Sequence, residues 1–199
     1  METGSWTAAC VMLDQAEKSG HIRVLQAELN DQPGVCIKIT GALSHVEAAV
    51  RAAEATGEGM HAACICAAIA NPAPGTHGVY APPAEINALI EQQAVTVPSG
   101  EEQQGMKEQA DFAVGLIETQ GFTAVFEAID TAIKTAAVEV IGREKLGGGY
   151  ITVMIKGDVA AVRAAIEAGK SKVDGLGKLI AAHVIARPSQ GVLSLLPKS

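Results

Sequence analysis

A few groups of residues in this chain have the types and spacing for chemistry. Gly147-Gly148-Gly149 is the first, since a glycine-rich loop can cradle phosphate. A phosphate loop, however, needs Lys-Ser/Thr after its glycines and a helix directly behind them. A dinucleotide loop needs a strand before and a helix after. Here the glycines lead into Tyr150–Lys156, an apolar, β-branched run that reads as a buried strand. Three glycines also cost a helix or strand too much backbone entropy, so the reading is a tight turn.

The second group is Cys64-Ile65-Cys66. Alternation along a strand puts both thiols on one sheet face, and the functional reading is a metal or iron–sulfur ligand pair. The competing reading is buried thiols acting as small hydrophobes, and the surrounding apolar run favours it. All four cysteines, Cys10, Cys36, Cys64 and Cys66, lie in the first half, and no secretion signal precedes them, so a disulfide framework is not expected. The histidines, His21, His45, His61, His77 and His183, are scattered, with no HExxH pattern and no cysteine–histidine pair. No catalytic set and no metal or cofactor site is therefore expected. Asp14 with Lys18, and Asp130 with Lys134, have the spacing of i,i+4 ion pairs on a helix.

Composition bounds what these groups can serve. The chain has 199 residues, 48% of them hydrophobic, and a mean hydropathy of +0.23, enough for one large core or two small ones. Only 3% are aromatic, so that core is built from Ala, Val and Ile at close approach. The formal net charge of −7 argues against nucleic acid or an anionic membrane surface as partner. No apolar run approaches the ~20 residues that span a bilayer, and no signal peptide opens the chain, so a soluble cytoplasmic protein is expected.

A shift of 116 positions superposes the two halves without a gap, setting Thr3 on Thr119. Asp14 and Lys18 fall on Asp130 and Lys134, Ile39-Thr40-Gly41 on Ile155-Lys156-Gly157, and Ile69-Ala70-Asn71-Pro72 on Ile185-Ala186-Arg187-Pro188. One register held over about seventy residues is a tandem duplication. The pattern predicts a first domain at 1–72, a linker at 73–110 and a second domain at 111–199.

In the first copy, helices are predicted at Trp6–Ser19 and Ser44–Ala55 and strands at His21–Glu28, Val35–Thr40 and His61–Ala70. In the second, helices are predicted at Thr123–Thr135 and Val159–Ala168, the latter capped by Asp158. Its strands are Phe112–Glu118, Val138–Arg143, Tyr150–Lys156 and Leu179–Ala186. Each copy is thus a β-α-β-β-α-β unit, an α+β sandwich of the ferredoxin-like kind. The first copy lacks most of its opening strand. Its start lies upstream, or the sheet edge is bare, or another segment fills the place, with Ala94–Val97 the nearby candidate. Pro72, Pro74, Pro82 and Pro83 mark the opening of the linker as irregular chain. Ile86, Leu89 and Ile90 have helical spacing, which predicts a short helix over 84–93. The apolar tail Val192–Leu196 reads as a matching short helix of the second copy.

The stretch EKLGGGYITVMIKGDVAAVRAAIEAG, with IETQGFTAVFEAIDTAIKTAAVEVIG before it and VIARP after it, resembles a bacterial microcompartment shell domain over roughly residues 111–190. The resemblance implies a structural subunit whose two domains per chain close a trimeric pseudohexagonal tile with a central pore for small metabolites. It implies that Leu146, Gly147, Gly148 and Gly149 line that pore, with Asn30, Asp31, Gln32 and Pro33 at the equivalent place in the first copy. An iron–sulfur variant of the family has a cysteine in the first copy's loop, and none of these four residues is one. Lys18 and Lys134 become tile-edge contacts, with Arg187 and its counterpart Asn71 in a second edge motif. The partners implied are a homotrimer, other shell proteins at tile edges and encapsulated enzymes, in a shell in the bacterial cytoplasm. Two other classes stand beside this one: a ligand-binding regulatory protein of ferredoxin-like repeats, and a redox module using Cys64 and Cys66.

Overall fold

The computed structural model describes residues 1–30, 34–87, 92–98 and 110–197. It falls into two compact units. One gathers Met1–Gly4, residues 8–98 and Gln190–Leu195; the other gathers Ser5–Thr7, residues 110–189 and Leu196 with Pro197.

The second unit follows the predicted order: β7 (Ala113–Gln120), α4 (Phe122–Thr135), β8 (Val138–Gly147), β9 (Tyr150–Gly157), α5 (Val159–Lys170) and β10 (Lys178–Ile185). Its antiparallel sheet runs β10-β7-β9-β8. Alternation along β7 turns Ala113, Gly115 and Ile117 toward the helices, where they meet Ala124, Ala128, Val162, Ala165 and Ile166 in one buried cluster. Small residues let these layers approach. A β-carbon on Gly115 would lie 2.7 Å from a Val162 methyl, and one on Gly169 would lie 2.7 Å from the Ala128 carbonyl oxygen. Asp158 caps α5 as predicted, accepting a hydrogen bond from the Ala160 amide at 2.8 Å.

Within the same unit Glu118 is fully buried. Its carboxylate accepts from the Ser5 hydroxyl at 2.6 Å and from the Trp6 and Thr7 amides at 3.2 and 3.0 Å. The two amides open α1 (Trp6–Ser19), so the carboxylate satisfies first-turn donors that no carbonyl of the helix can reach.

The first unit holds β1 (Glu2–Thr3), the rest of α1, β2 (Ile22–Leu29), β3 (Val35–Gly41), α2 (Leu43–Gly59) and β4 (Cys64–Ile65). They are followed by α3 (His77–Tyr80), β5 (Glu85–Asn87) and β6 (Gln92–Thr96), in a sheet of order β4-β1-β3-β2-β6-β5. Four of these strands repeat the order of the second unit. The opening strand survives as Glu2–Thr3, which pairs with β3 on one side and β4 on the other.

Three expectations are corrected. The strand expected over His61–Ala70 shrinks to Cys64–Ile65, because β1 offers it only two residues to pair with and unpaired strand backbone is costly. The candidate Ala94–Val97 does not fill the opening place. Its first three residues lie in β6, which pairs with β2 at Ala27 and Glu28, on the far side of the sheet. The helix expected over 84–93 is not the structure of its ends, which form the β5–β6 antiparallel pair; residues 88–91 lie outside the described residues. Three apolar residues at helical spacing are too weak a signal to resist pairing with an open edge strand that buries Val95. The tail does form a helix, α6 (Gln190–Leu195), but it clusters with the first unit. Val192 and Leu195 are buried there, and the Gly191 amide donates to the Glu17 carboxylate at 2.8 Å.

Candidate functional site

The triple glycine is the turn of the β8–β9 hairpin. Gly147 pairs with Tyr150, and the two residues between them have positive φ, +57° at Gly148 and +81° at Gly149. Positive φ at both central positions is what a two-residue turn of type I′ demands, and glycine meets it without strain. The turn is fastened from outside the hairpin. The Gln120 side-chain amide donates to the Gly148 carbonyl at 3.1 Å, and the Gly121 amide donates to the Gly149 carbonyl at 3.0 Å. Leu146 is buried beneath it. With these carbonyls engaged, the remaining polar groups of the turn are backbone amides, the donors suited to an anionic or neutral oxygen. Gln120 was not among the sequence candidates. Its role depends on the β7–β9 register, which sets it opposite Tyr150 and which no local motif reveals.

The equivalent connection in the first copy lies between β2 and β3, where Leu29 pairs with Val35 and the Asn30 amide donates to the Gly34 carbonyl at 2.7 Å. Asn30 is thereby placed at the mouth of the loop. Asp31, Gln32 and Pro33 lie outside the described residues.

Both predicted lysine pairs form. Lys18 reaches Asp14 at 2.6 Å and Lys134 reaches Asp130 at 2.6 Å, each in the last turns of its helix. The Lys134 side chain is 72% exposed against 42% for Lys18. The hydrogen bond that Lys134 donates to Asp130, with that carboxylate's charge, pushes the Lys134 ammonium above its ordinary value. Arg187 is exposed just beyond β10. Asn71, its counterpart, is exposed in a left-handed conformation at φ +49°, one that asparagine tolerates better than arginine would. The glycine turn and the residues expected at tile edges therefore occupy different elements, the turn at the β8–β9 link and the others at helix ends and after strands.

The cysteines Cys64 and Cys66 hydrogen-bond to each other on the α1–α2 side of the first sheet, packed with Met1, Met12 and Met60. Burial, with the neighbouring Cys64, pushes the Cys66 thiol up to about 11, so little nucleophilic thiolate exists at neutral pH. His21 and His45 stack edge to face at 5.9 Å. Among the described residues no three His, Cys, Asp or Glu side chains converge on a metal position.

The chain matches the BMC domain over residues 1–72 and again over 113–188. It belongs to the BMC-domain family. The two matched segments are the two halves of the duplication, so each copy is one such domain. The chain is 46% identical over 86 residues to the bacterial microcompartment shell protein PduA of Citrobacter freundii, covering 43% of this chain and 92% of that protein. It is 46% identical over 88 residues to the carboxysome shell protein CcmK2 of Synechocystis sp., covering 43% of this chain and 84% of that one. Among solved structures, a microcompartment protein from Desulfitobacterium hafniense aligns over 96% of this chain and 94% of its own, at 22% identity and a TM-score of 0.39. This tandem BMC-domain protein is thus a relative of structural shell proteins, with two domains where PduA and CcmK2 match over one. No described helix is long and apolar enough to cross a membrane.

Proposed function

We propose that this BMC-domain chain is a structural shell subunit, three copies of which close a pseudohexagonal tile with an axial pore. The observation that carries the reading is the tandem domain itself: six domains fill a hexagonal ring, and two per chain require three chains in cyclic symmetry. The glycine hairpin turn would face the axis, where its lack of side chains leaves an opening and its amides attract oxygen-rich solutes. Residues 30–33 would alternate with it around the same rim. Asp31 would add up to three negative charges there and work against the amides for anions. Lys18, Lys134, Arg187 and Asn71 would meet neighbouring tiles in a shell within the bacterial cytoplasm, and encapsulated enzymes would lie behind it. The subunit itself performs no catalysis in this reading.

Light scattering on the eluting protein tests it, with an expected mass of three times 20.4 kDa. A monomer at moderate concentration overturns the tile. Lys134→Ala should keep the trimer while abolishing extended sheets in electron micrographs. Loss of the trimer in that variant would place this lysine on an intersubunit surface instead.

A further inference from the structure

The chain has four cysteines and five methionines, and of these nine residues five meet in a single cluster of the first unit: Met1, Met12, Met60, Cys64 and Cys66. The duplication does not ask for sulfur here. The second copy has alanine at 128 and isoleucine at 180 and alanine at 182, where the first has Met12, Cys64 and Cys66. The geometry brings the sulfurs together. Cys64 lies in the sheet's edge strand β4 and Cys66 one residue beyond its end, and the two hydrogen-bond to each other. Gly57 on α2, having no side chain, makes room for Cys64 and Met12. From the point where its β-carbon would stand, Cys64 Sγ is 2.6 Å away and Met12 Sδ 3.2 Å. One thiol and the thioether thus flank the small volume that a side chain at 57 would occupy, and Cys66 joins them through its hydrogen bond to Cys64. Both cysteines are half-buried, so the edge of the sheet leaves them within reach of solution.

We propose that Cys64, Cys66 and Met12 form a binding site for one soft monovalent cation, copper(I). Binding releases the two thiol protons to solvent and leaves a bis-thiolate complex of net charge −1, with Met12 Sδ as a third, weaker donor. No electron is transferred. The donor set selects the ion: thiolate and thioether are soft ligands that favour copper(I). Zinc needs four protein ligands for a closed tetrahedral site. Among the described residues no third His, Cys, Asp or Glu joins the pair to supply them. Oxidation of the pair is the weaker use, since burial makes Cys66 a poor nucleophile.

The test is an anaerobic titration of the full chain with copper(I), competed against bathocuproine disulfonate. One copper(I) per chain is expected. Cys64→Ser and Cys66→Ser should each weaken it by more than about 100-fold, the ceiling for changes that only touch the outer sphere. Met12→Leu and Gly57→Ala should each weaken it about tenfold, and Cys36→Ser should leave it unchanged. Should either cysteine variant fail to fold, X-ray absorption of the loaded wild-type protein decides, with a shell of sulfur alone expected. Nitrogen or oxygen donors in that shell, or copper(I) retained by a folded Cys64→Ser/Cys66→Ser chain, would overturn the site, as would no binding against the chelator.

Discussion

Residues 12 and 128 occupy the same place in the two copies, and one is methionine while the other is alanine. That exchange runs through the whole helix layer. In the second copy α4 and α5 close on each other through Ala128 and Gly169, with the carbonyl of one turn against the bare α-carbon of the other. In the first copy Ala53 stands at the place of Gly169, and Met12 shares its cluster with the cysteines packed against it. One fold therefore tolerates two ways of filling the same layer, by close backbone approach or by flexible sulfur-bearing side chains. The copy that keeps the tight packing also keeps the glycine hairpin and a fully paired sheet. The other has a two-residue opening strand and gains the β5–β6 pair at the opposite side.

The largest test of this contrast is Glu118 against its counterpart Glu2. Glu118→Ala removes the acceptor of three donors in a buried place and should cost about 3 kcal/mol. Glu2→Ala, at a half-buried position, should cost well under half of that. Chemical denaturation of both variants measures the difference, and equal losses would mean that Glu118 is no anchor. Next is Gly169→Ala, whose methyl would meet the Ala128 carbonyl at 2.7 Å and should cost about 1–3 kcal/mol. Ala53→Gly, the reverse change in the first copy, should cost only the helix-propensity difference of about 1 kcal/mol. A melting temperature unchanged by Gly169→Ala would show that the helices have room to part.

The smallest effect, and the one that sharpens the comparison best, is at the helix caps. Asp158 and Ala42 are equivalent N-caps, and only Asp158 has a side chain to accept from the first turn. Asp158→Ala should destabilise by about 1 kcal/mol and Ala42→Asp should stabilise by a similar amount, since both caps have extended backbone, φ −60° and −62°. Thermal unfolding reads both signs at once. A neutral Ala42→Asp would mean that the first copy has found another partner for those amides.

What the sequence determined by itself was local or periodic. The shift of 116 residues announced the duplication, the apolar, β-branched run of Tyr150–Lys156 announced β9, Asp158 announced its cap, and i,i+4 spacing placed both lysine–aspartate pairs. The glycines declared a turn because no other element tolerates three of them. What only the tertiary structure decided was pairing between distant segments. Whether 61–70 is a strand depends on how much β1 offers it, and whether 92–96 is a strand depends on the open edge of β2. The tail helix is local, but its place beside Glu17 is not. Gln120 on the Gly148 carbonyl, Glu118 beneath the first turn of α1, and Met12 beside Cys64 each join residues far apart in the chain. Their energies come from burial and donor–acceptor geometry in three dimensions, and no spacing along the sequence carries them.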